Sequence, residues 1–416
     1  MNVLFVSDVS IADVIGGAER VLFEESTRLA NRGHDVHVLT RKLPRHVSHH
    51  QVIQGVNEWR YDVDHSNSLS YLKSTAINCR KVFESLQSRY SFGCLNIHQP
   101  FSAFGVIQSP LGKNAAKIYT CHSLSFEEFQ SRNPRPRSVA GNIPYFLNIE
   151  ARKCIERRAL NRSDRIIALS GFTREKLLRV YKIPDDKIVI IPGGVDLERF
   201  YPAADRTGIK ERLNIPGEKT ILLTVRNLVP RMGLENLLHA MQAVIKAVPD
   251  VYLVVGGEGP LKDRLVSLTR ELGIDNHISF AGFIPEADLP DYYRATDIFI
   301  LPTLELEGFG LITLEALASG VPVLGTPVGG TVEILSRLGS QYLFKDTGPE
   351  SMSELIIRTC REFKDNPSFQ RDVSSRCRVF VEKNYSWEKN VSALETMIAQ
   401  MASGEIHEGN TGSALS

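Results

Sequence analysis

The chain has 416 residues, of which 43% are hydrophobic and 23% charged, and its formal net charge is +1. This composition is ordinary for a globular protein, so a disordered chain and a fibrous repeat are excluded. The charge is unevenly spread, because residues 1–197 carry a net charge of +8 and the remainder carries −7. The length and the opposite charges of the two halves predict two domains that meet different partners.

Targeting and redox signals are few. Asp8 interrupts the apolar start of the chain, which predicts a buried first strand in place of a secretory signal. No run approaches the ~18 apolar residues of a membrane-spanning helix. The six cysteines include no C-x-x-C pair, so we expect reduced, buried thiols and a cytoplasmic protein.

Short runs rich in Val, Ile and Leu alternate with helical stretches through the first half. These runs show little polar alternation, which is typical of strands buried on both faces of a parallel sheet. The predicted strands are residues 2–7, 35–40, 94–98, 116–121, 165–170 and 187–192. Residues 1–197 are therefore predicted to form a doubly wound α/β domain.

The same alternation restarts after residues 192–202, which are dense in turn formers and predict a linker. The predicted strands of this half are residues 220–225, 251–255, 278–281, 297–301 and 321–325, and the predicted helices are residues 234–248, 260–272, 288–295 and 309–319. Residues 198–386 are therefore expected to form a second α/β domain, with a ligand-binding cleft between the two. A last helix at about 387–401 is expected to pack back on the first domain, and the polar tail 403–416 is predicted to be disordered.

The strongest local feature spans residues 302–316, where a predicted strand ends in a turn and a helix begins. Gly308 and Gly310 let the backbone approach a ligand, and the free N–H groups of the helix start attract phosphate. Glu307 precedes the helix and Glu315 lies inside it, about 80° apart around the axis and up to ~12 Å along it at ideal geometry. That separation exceeds the ~5–9.5 Å of a glycosidase acid/base pair, and it suits two contacts with one extended ligand. The alternative is that Glu307 only interacts favourably with the helix dipole and that Glu315 lies in solvent.

The stretch from Glu307 to Glu315, with residues 318–323 behind it, resembles the E-x7-E signature of the retaining GT-B glycosyltransferases of family 4. Shorter pieces follow in the order of that family, at residues 16–20, 191–196, 256–260 and 280–283. The resemblance covers residues 1 to about 400. It implies the GT-B fold, in which two Rossmann-like, doubly wound parallel-sheet domains face a central cleft.

The resemblance also implies contacts with a nucleotide-sugar donor. Glu315 would bind the ribose hydroxyls and Glu307 would lie by the donor sugar, as suits carboxylates that accept hydroxyl protons. In the first domain, Gly16 and Gly17 would turn their backbone to the diphosphate, with plain turn geometry as the alternative. The remaining implied donor contacts are the backbone amides of Phe309, Gly310 and Leu311.

Three further residues are expected to act on the leaving group or the sugar. Arg226 matches an Arg of the family that stabilises the negative charge of the departing diphosphate. The family usually has a Lys six residues later, where this chain has Met232, so Arg231 is predicted to supply the second cation; a side chain in solvent is the alternative. His122 follows the strand predicted at residues 116–121 and is expected near the donor sugar, with a loop histidine of no role as the alternative.

The basic excess is concentrated in residues 41–165, which contain 19 Lys+Arg and 9 Asp+Glu. An anionic acceptor, an anionic membrane surface at the inner face, and a solvated helix face plus a mobile loop are all open interpretations. Nucleic acid is not expected, because the basic stretch lacks interleaved aromatic residues. His46, His49 and His50 are expected in a solvated loop, the D-x-D at residues 62–64 is interpreted as a chance match, and no essential metal is expected.

Together these features predict a retaining hexosyltransferase that uses a nucleotide diphosphate sugar as donor and requires no cofactor. A UDP-sugar is favoured by family frequency, and GDP- and ADP-sugars are the alternatives. The expected acceptor is a hydroxyl of a saccharide or lipid-linked molecule, in polysaccharide or glycoconjugate biosynthesis. The rival functions are a non-hydrolysing sugar-nucleotide epimerase of the same fold and an inactive sugar-nucleotide-binding subunit, for which Met232 is the argument.

Overall fold

The computed structural model describes residues 1–403 except residues 13 and 15. Of the tail predicted to be disordered, residues 404–416 lie outside the described part. The chain divides into two compact units. Unit 1 comprises Met1–Gly193 and Trp387–Ser416, and unit 2 comprises Gly194–Ser386. The division falls slightly before the boundary expected after residue 197.

The described residues of unit 1 form an eight-stranded sheet in the order β3-β4-β2-β1-β5-β6-β7-β8. Neighbouring strands are parallel except β3, which runs antiparallel to β4 at one edge. The strands are β1 Asn2–Val6, β2 Asp35–Arg41, β3 His50–Ile53, β4 Val56–Tyr61, β5 Cys94–Ile97, β6 Ala116–Cys121, β7 Arg165–Ala168 and β8 Ile188–Ile190. The central strands are buried on both faces, in agreement with their unbroken apolar runs.

Helices cover both faces of this sheet. They are α1 Gly17–Asn31, α2 Ser68–Tyr90, α3 Pro100–Ile107, α4 Ser125–Arg132, α5 Val139–Arg162, α6 Gly171–Lys176 and the final helix, Trp387–Ser403. One core lies between the sheet and α2, α3 and α5, and includes Phe83, Val106 and Leu160. The opposite core lies between the sheet, α1 and the final helix, and includes Leu22 and Leu394.

The final helix of the chain therefore belongs to unit 1. Its apolar residues enter the core beside α1, and ion pairs line the edge of that contact. Arg32, directly after α1, lies 2.7 Å from a carboxylate oxygen of Glu388 and 2.6 Å from one of Glu395, and Arg28 of α1 lies 2.7 Å from Glu388. These pairs complement the apolar contact at its rim.

Unit 2, all of whose residues are described, contains a five-stranded parallel sheet in the order β11-β10-β9-β12-β13. Its strands are β9 Thr220–Val225, β10 Val251–Gly256, β11 Ile278–Gly282, β12 Ile298–Leu301 and β13 Val323–Gly325. Its helices are α7 Thr207–Arg212, α8 Leu234–Ala247, α9 Lys262–Glu271, α10 Leu289–Arg294, α11 Leu311–Ala318, α12 Gly330–Leu338, α13 Pro349–Asp365 and α14 Pro367–Asn384, which makes the final helix of the chain α15. The expected α/β architecture with two parallel sheets is confirmed.

Each sheet has one point where the strand order reverses. In unit 1, β1 lies between β2 and β5, and in unit 2, β9 lies between β10 and β12. In open α/β sheets, ligands bind beyond the carboxyl ends of the strands at such a point. The loops after β1 and β5, and those after β9 and β12, are therefore the first places to search for a site.

The sequence prediction missed β3 and β4, and with them the setting of three histidines. His50 opens β3 and its ring stacks on Trp59 at 3.9 Å, while His46 is buried, so the expectation of a solvated loop is wrong for both. His49 is exposed and lies 2.9 Å from Asp62, the first acid of the D-x-D. Among the described residues, no group of His, Cys, Asp and Glu has the arrangement of a metal site.

The cysteines agree in part with the expectation of reduced, buried thiols. All six thiols are free, and five are buried, but Cys154 is exposed, contrary to expectation. Within the ranges described, no helix has both the length and the apolar character needed to cross a membrane.

Candidate active site

Arg226 lies directly beyond β9, at the reversal point of unit 2. Its backbone N–H donates to the carbonyl of Gly256 at 2.9 Å, so the main chain continues the sheet pattern for one more residue. Gly257 has φ +118°, and a Cβ there would lie 1.9 Å from the carbonyl oxygen of Arg226. Only glycine allows this approach of the two strand ends, which places Arg226 against the neighbouring loop.

The Arg226 side chain is buried and held on one side by three residues. Its Nη2 lies 2.7 Å from Oε2 of Glu307, 2.9 Å from Oγ1 of Thr303 and 2.7 Å from Sδ of Met232. The Nε atom also points to the Met232 sulfur, at 3.2 Å. Nη1 has no hydrogen-bond partner within the described part of the chain and is not sealed from solvent. The guanidinium is therefore fixed in place with one donor group left for a ligand.

Met232 occupies the position where the family pattern has Lys. The buried thioether replaces a second positive charge with a weak acceptor that meets Arg226. Arg231, the residue expected to supply the second cation, donates from Nη1 to the carbonyl of Leu306 at 3.3 Å. Arg231 is thus directed at the loop that carries Glu307.

Tight backbone contacts position Glu307. Leu306 has φ +58°, a conformation that residues other than glycine rarely adopt. The carbonyl of Glu307 accepts from the N–H of Gly330 at 2.9 Å, and a Cβ on Gly329 would lie 2.0 Å from that oxygen. The backbone of the loop after β12 therefore packs against Gly329 and Gly330. This contact holds Glu307 where its carboxylate reaches Arg226.

Helix α11 begins later than predicted. Gly310 precedes it with φ +95°, and the first helical residue is Leu311 instead of Phe309. The expected angle of about 80° between Glu307 and Glu315 around the helix axis requires both residues to be helical. It does not apply, because Glu307 lies in the loop before α11. Leu311 is the first helical residue, while Phe309 and Gly310 lie in the loop directly before it.

Glu315 lies on the buried part of α11. Its Oε2 accepts a hydrogen bond from the hydroxyl of Tyr293 at 3.0 Å. Burial raises the pKa of the fully buried Tyr293, and the carboxylate of Glu315 raises it further. Tyr293 remains a donor at every physiological pH and keeps the Glu315 side chain in one orientation.

In unit 1, Gly16 and Gly17 stand where α1 begins. Gly16 precedes the helix with an extended backbone, φ −130° and ψ 178°, and its carbonyl accepts from the N–H of Arg20. This conformation is open to every residue, so turn geometry does not require glycine at position 16. Among the described residues, a Cβ there would meet the flexible end of Glu19, at 2.8 Å.

His122 follows β6, and its Nε2 lies 3.0 Å from Nδ1 of His98, which follows β5. Burial lowers the pKa of His122 to about 4 and that of the fully buried His98 well below its usual value. Both rings are therefore neutral at pH 7. Beyond them, Oε2 of Glu25 lies 3.5 Å from Nε2 of His98, and burial raises the pKa of Glu25 to about 8.

His98 and Glu25 were not singled out in the sequence. The predicted strand at residues 94–98 ended on His98, and a histidine at the carboxyl end of a parallel strand was a signal that could have found it. Glu25 lies in the middle of an amphipathic helix, where its type and spacing gave no signal.

The structure thus brings together Arg226, Arg231 and Glu307 at one end of the unit 2 sheet, with Glu315 on the helix that follows. Residues 205–372 match the family described as Glycosyl transferases group 1, and residues 15–199 match the family described as Glycosyltransferase Family 4. The chain carries glycosyltransferase domains of both descriptions. These domains account for the greater part of its length.

Relatives and solved structures agree with this assignment. The chain is 26% identical to the mannosylfructose-phosphate synthase of Agrobacterium fabrum over 86% of its own length and 80% of that protein. It is 33% identical to a GDP-mannose-dependent alpha-(1-6)-phosphatidylinositol monomannoside mannosyltransferase of Mycolicibacterium smegmatis, an alignment that spans 42% of this chain and about half, 48%, of that relative. Sucrose-phosphate synthase from Thermosynechococcus elongatus has a similar structure, with a TM-score of 0.79 at 22% identity, over 97% of this chain and 99% of that one. The fold of these glycosyltransferase domains is GT-B, which confirms the expected fold class.

Proposed function

We propose that the chain is a retaining glycosyltransferase that moves a hexose from a nucleotide diphosphate sugar to a hydroxyl of a saccharide or glycolipid acceptor. The observation that carries the proposal is Arg226, buried against Glu307 and Thr303 with Nη1 left for a ligand. A fixed cation of this kind stabilises the negative charge that forms on a departing diphosphate without reorganising during the reaction.

The proposed reaction breaks the bond between C1 of the sugar and the diphosphate oxygen. Arg226 stabilises the leaving group while the acceptor oxygen forms a new bond to C1 on the same face, and the acceptor proton moves to the departing phosphate. Glu307 orients both the sugar and the guanidinium. Glu315, fixed by Tyr293, binds the ribose hydroxyls, and the start of α11 receives the sugar and diphosphate through its backbone N–H groups.

Several finer assignments stay predictions. They are the roles of Gly16, Gly17 and His122 of unit 1 in donor binding, the preference for UDP over GDP or ADP, and the cytoplasmic location. The GDP-mannose dependence named for one relative is a reason to test GDP-sugars beside UDP-sugars. Glycoconjugate assembly is the proposed setting, since that relative acts on a phosphatidylinositol mannoside.

The proposal is tested by the product. Purified protein is incubated with donor and acceptor, nucleotide release is followed, and the anomeric proton coupling of the new glycoside is read by NMR. The proposal predicts the anomeric configuration of the donor and a loss of about 10²–10³-fold in kcat for Arg226→Gln. Exposed Arg270→Gln on α9 is the control. An inverted product, epimerisation of the donor sugar in the absence of an acceptor, or donor binding without any turnover would each reject it.

A further inference from the structure

A second charged cluster lies in unit 1, at the carboxyl ends of the strands where the order reverses. Asp8 follows β1 and Arg41 ends β2, and the hydroxyl of Tyr71 on α2 accepts a hydrogen bond from Arg41. Arg152 on α5 packs on the ring of Phe101, whose centre lies 6.4 Å from that of the Tyr71 ring. These four side chains, hereafter the Arg41–Arg152 cluster, come from four elements that are distant in sequence. Convergence of polar groups at a reversal point is typical of a binding site.

Asp8 supplies the negative charge of this cluster. Its Oδ1 accepts hydrogen bonds from the backbone N–H of Ser102, at 3.0 Å, and from the Ser102 hydroxyl. Burial raises the pKa of Asp8, and Ser102, Arg41 and Arg152 oppose that shift. One carboxylate oxygen of Asp8 is therefore hydrogen-bonded to Ser102, in the first turn of α3.

Arg41 is held by a hydroxyl and not by an acid. Its Nη1 donates to the hydroxyl of Tyr71 at 2.8 Å, and its buried Nε has no hydrogen-bond partner. Within the part of the chain that is described, no carboxylate lies at ion-pair distance from this guanidinium. A buried donor without a hydrogen-bond partner, such as this Nε, costs free energy.

Arg152 is held between two aromatic rings. Its guanidinium carbon lies 5.0 Å from the ring centre of Phe101 and 4.7 Å from that of Phe129, and its Nε donates to Asn148 at 2.7 Å. Again, among the residues described, no carboxylate forms an ion pair with it, although the neighbouring Lys153 pairs with Glu150 at 2.8 Å. Stacking fixes the plane of the guanidinium and leaves its outer nitrogens for a ligand.

The cluster therefore carries two guanidinium groups and one carboxylate, and both cations form hydrogen bonds with neutral partners. A further acid that acts on Arg152, Glu128, is itself paired with Arg132 at 3.7 Å. We propose that it binds an oxyanion, a phosphate or carboxylate, on the acceptor molecule. Planar guanidinium groups match such oxyanions in geometry and charge. The assignment of the oxyanion to an acceptor molecule rests on the proposed function, whereas the residues of the site all belong to unit 1. It places two residues of the basic stretch, Arg41 and Arg152, in a binding site and not on a solvated helix face.

The first experiment measures binding of inorganic phosphate by thermal shift and by 31P NMR titration. All proteins carry Arg226→Gln, which weakens phosphate binding at the proposed donor position. The inference predicts saturable phosphate binding that is at least tenfold weaker in Arg152→Gln and Arg41→Gln. Arg158→Gln, an exposed arginine on the same helix, is the matched control and is predicted to bind as the parent does.

Arg41→Lys distinguishes a lost phosphate contact from a folding defect. It keeps the positive charge and is predicted to retain part of the affinity for phosphate. Equal phosphate binding by the Arg152→Gln and Arg158→Gln proteins would overturn the inference. So would an absence of phosphate binding in the Arg226→Gln parent.

Two further arms identify the source of the oxyanion. Competition by glycerol 3-phosphate supports a soluble phosphorylated acceptor, while Arg152-dependent sedimentation with phosphatidylinositol vesicles, and not with phosphatidylcholine vesicles, supports a lipid headgroup. A failure of the proposed function can be distinguished from a failure of this site. A chain that binds phosphate through Arg152 but neither binds nor turns over a nucleotide sugar keeps this site and loses the donor assignment.

Discussion

The sulfur of Met232 lies 2.7 Å from Nη2 of Arg226, on the side of the guanidinium that also meets Glu307. The position where the resemblance predicts a Lys is therefore in contact with the residue proposed to act on the leaving group. A thioether accepts a weak hydrogen bond and fills the space without adding charge. Met232 therefore contacts Arg226 without supplying the second cation that the resemblance predicts at this position.

Replacing Met232 by Lys adds the missing cation. Met232→Lys is predicted to raise kcat by about tenfold, because an added charged hydrogen bond to the leaving group contributes about 1.5–3 kcal/mol, part of which offsets repulsion by Arg226. Met232→Leu is the control, since it keeps the volume and is predicted to leave kcat within a few-fold of the parent. Steady-state kinetics with saturating acceptor decides, and a well-folded Met232→Lys protein with lower kcat than Met232→Leu would contradict the account.

The contact between Gly257 and Arg226 is tested by adding one carbon. Gly257→Ala places a Cβ 1.9 Å from the Arg226 carbonyl, so the backbone must shift and the guanidinium moves with it. We predict a fall of more than tenfold in kcat. Gly273 also has a positive φ, +66°, but open space around it, so Gly273→Ala is predicted to cost about 1 kcal/mol of stability and to leave the activity unchanged. Matching kinetic losses in the two variants would show that the contact has no special role.

The ribose assignment of Glu315 is testable with a truncated nucleotide. Glu315→Gln is predicted to raise the Kd of the nucleoside diphosphate at least tenfold, because hydrogen bonds to a charged group contribute about 1.5–3 kcal/mol. With the 2′,3′-dideoxy nucleotide, the same substitution is predicted to change the Kd less than twofold. Isothermal titration calorimetry measures all four combinations, and an equal effect on both nucleotides would place Glu315 away from the ribose.

Glu25 makes the stability of unit 1 depend on pH. The amide of Asn390 from α15 and the ring of His98 face this buried carboxyl, while its helix neighbours Glu24 and Arg28 pair with each other. Because the folded pKa of about 8 lies above the usual 4.5, the folded state keeps a proton that the unfolded state releases. Stability from this group is therefore full below pH 4.5 and is lost as the pH rises toward 8.

Glu25→Gln removes this titration. Between pH 5 and pH 8, the free energy of unfolding of the variant is predicted to rise relative to that of the parent by about 4 kcal/mol at most. Urea unfolding at the two pH values measures the difference. Exposed Glu150→Gln is predicted to show no such gain, and a Glu25→Gln difference that does not change with pH would show that Glu25 is ionised in the folded protein.

Much of the fold was predictable because the strands are apolar on both faces. The runs at β6 and β9 were predicted with the observed bounds, since neither face of these strands meets water. Strands β3 and β4 were missed because their polar residues are satisfied by contacts that the sequence does not display. Glu58, fully buried in β4, pairs with Arg60 at 2.6 Å and accepts from the Ser10 hydroxyl.

The candidate site was predictable where a local motif encodes it. Glu307, Gly310 and Glu315 lie within one loop and one helix, so their spacing in sequence carries the signal. Asp8 and Arg152 are 144 positions apart in the chain. Residues that meet only through the fold leave no pattern at short range, and the Arg41–Arg152 cluster could not be read from the sequence for that reason.

The central claim is that the chain binds and turns over a nucleotide diphosphate sugar. The most direct measurement is thermal shift together with nucleotide release for purified protein against UDP-, GDP- and ADP-sugars, without added acceptor. The account predicts that one donor stabilises the protein and that its nucleotide is released slowly, with both effects reduced in Arg226→Gln. Absence of stabilisation and release with every donor would contradict it.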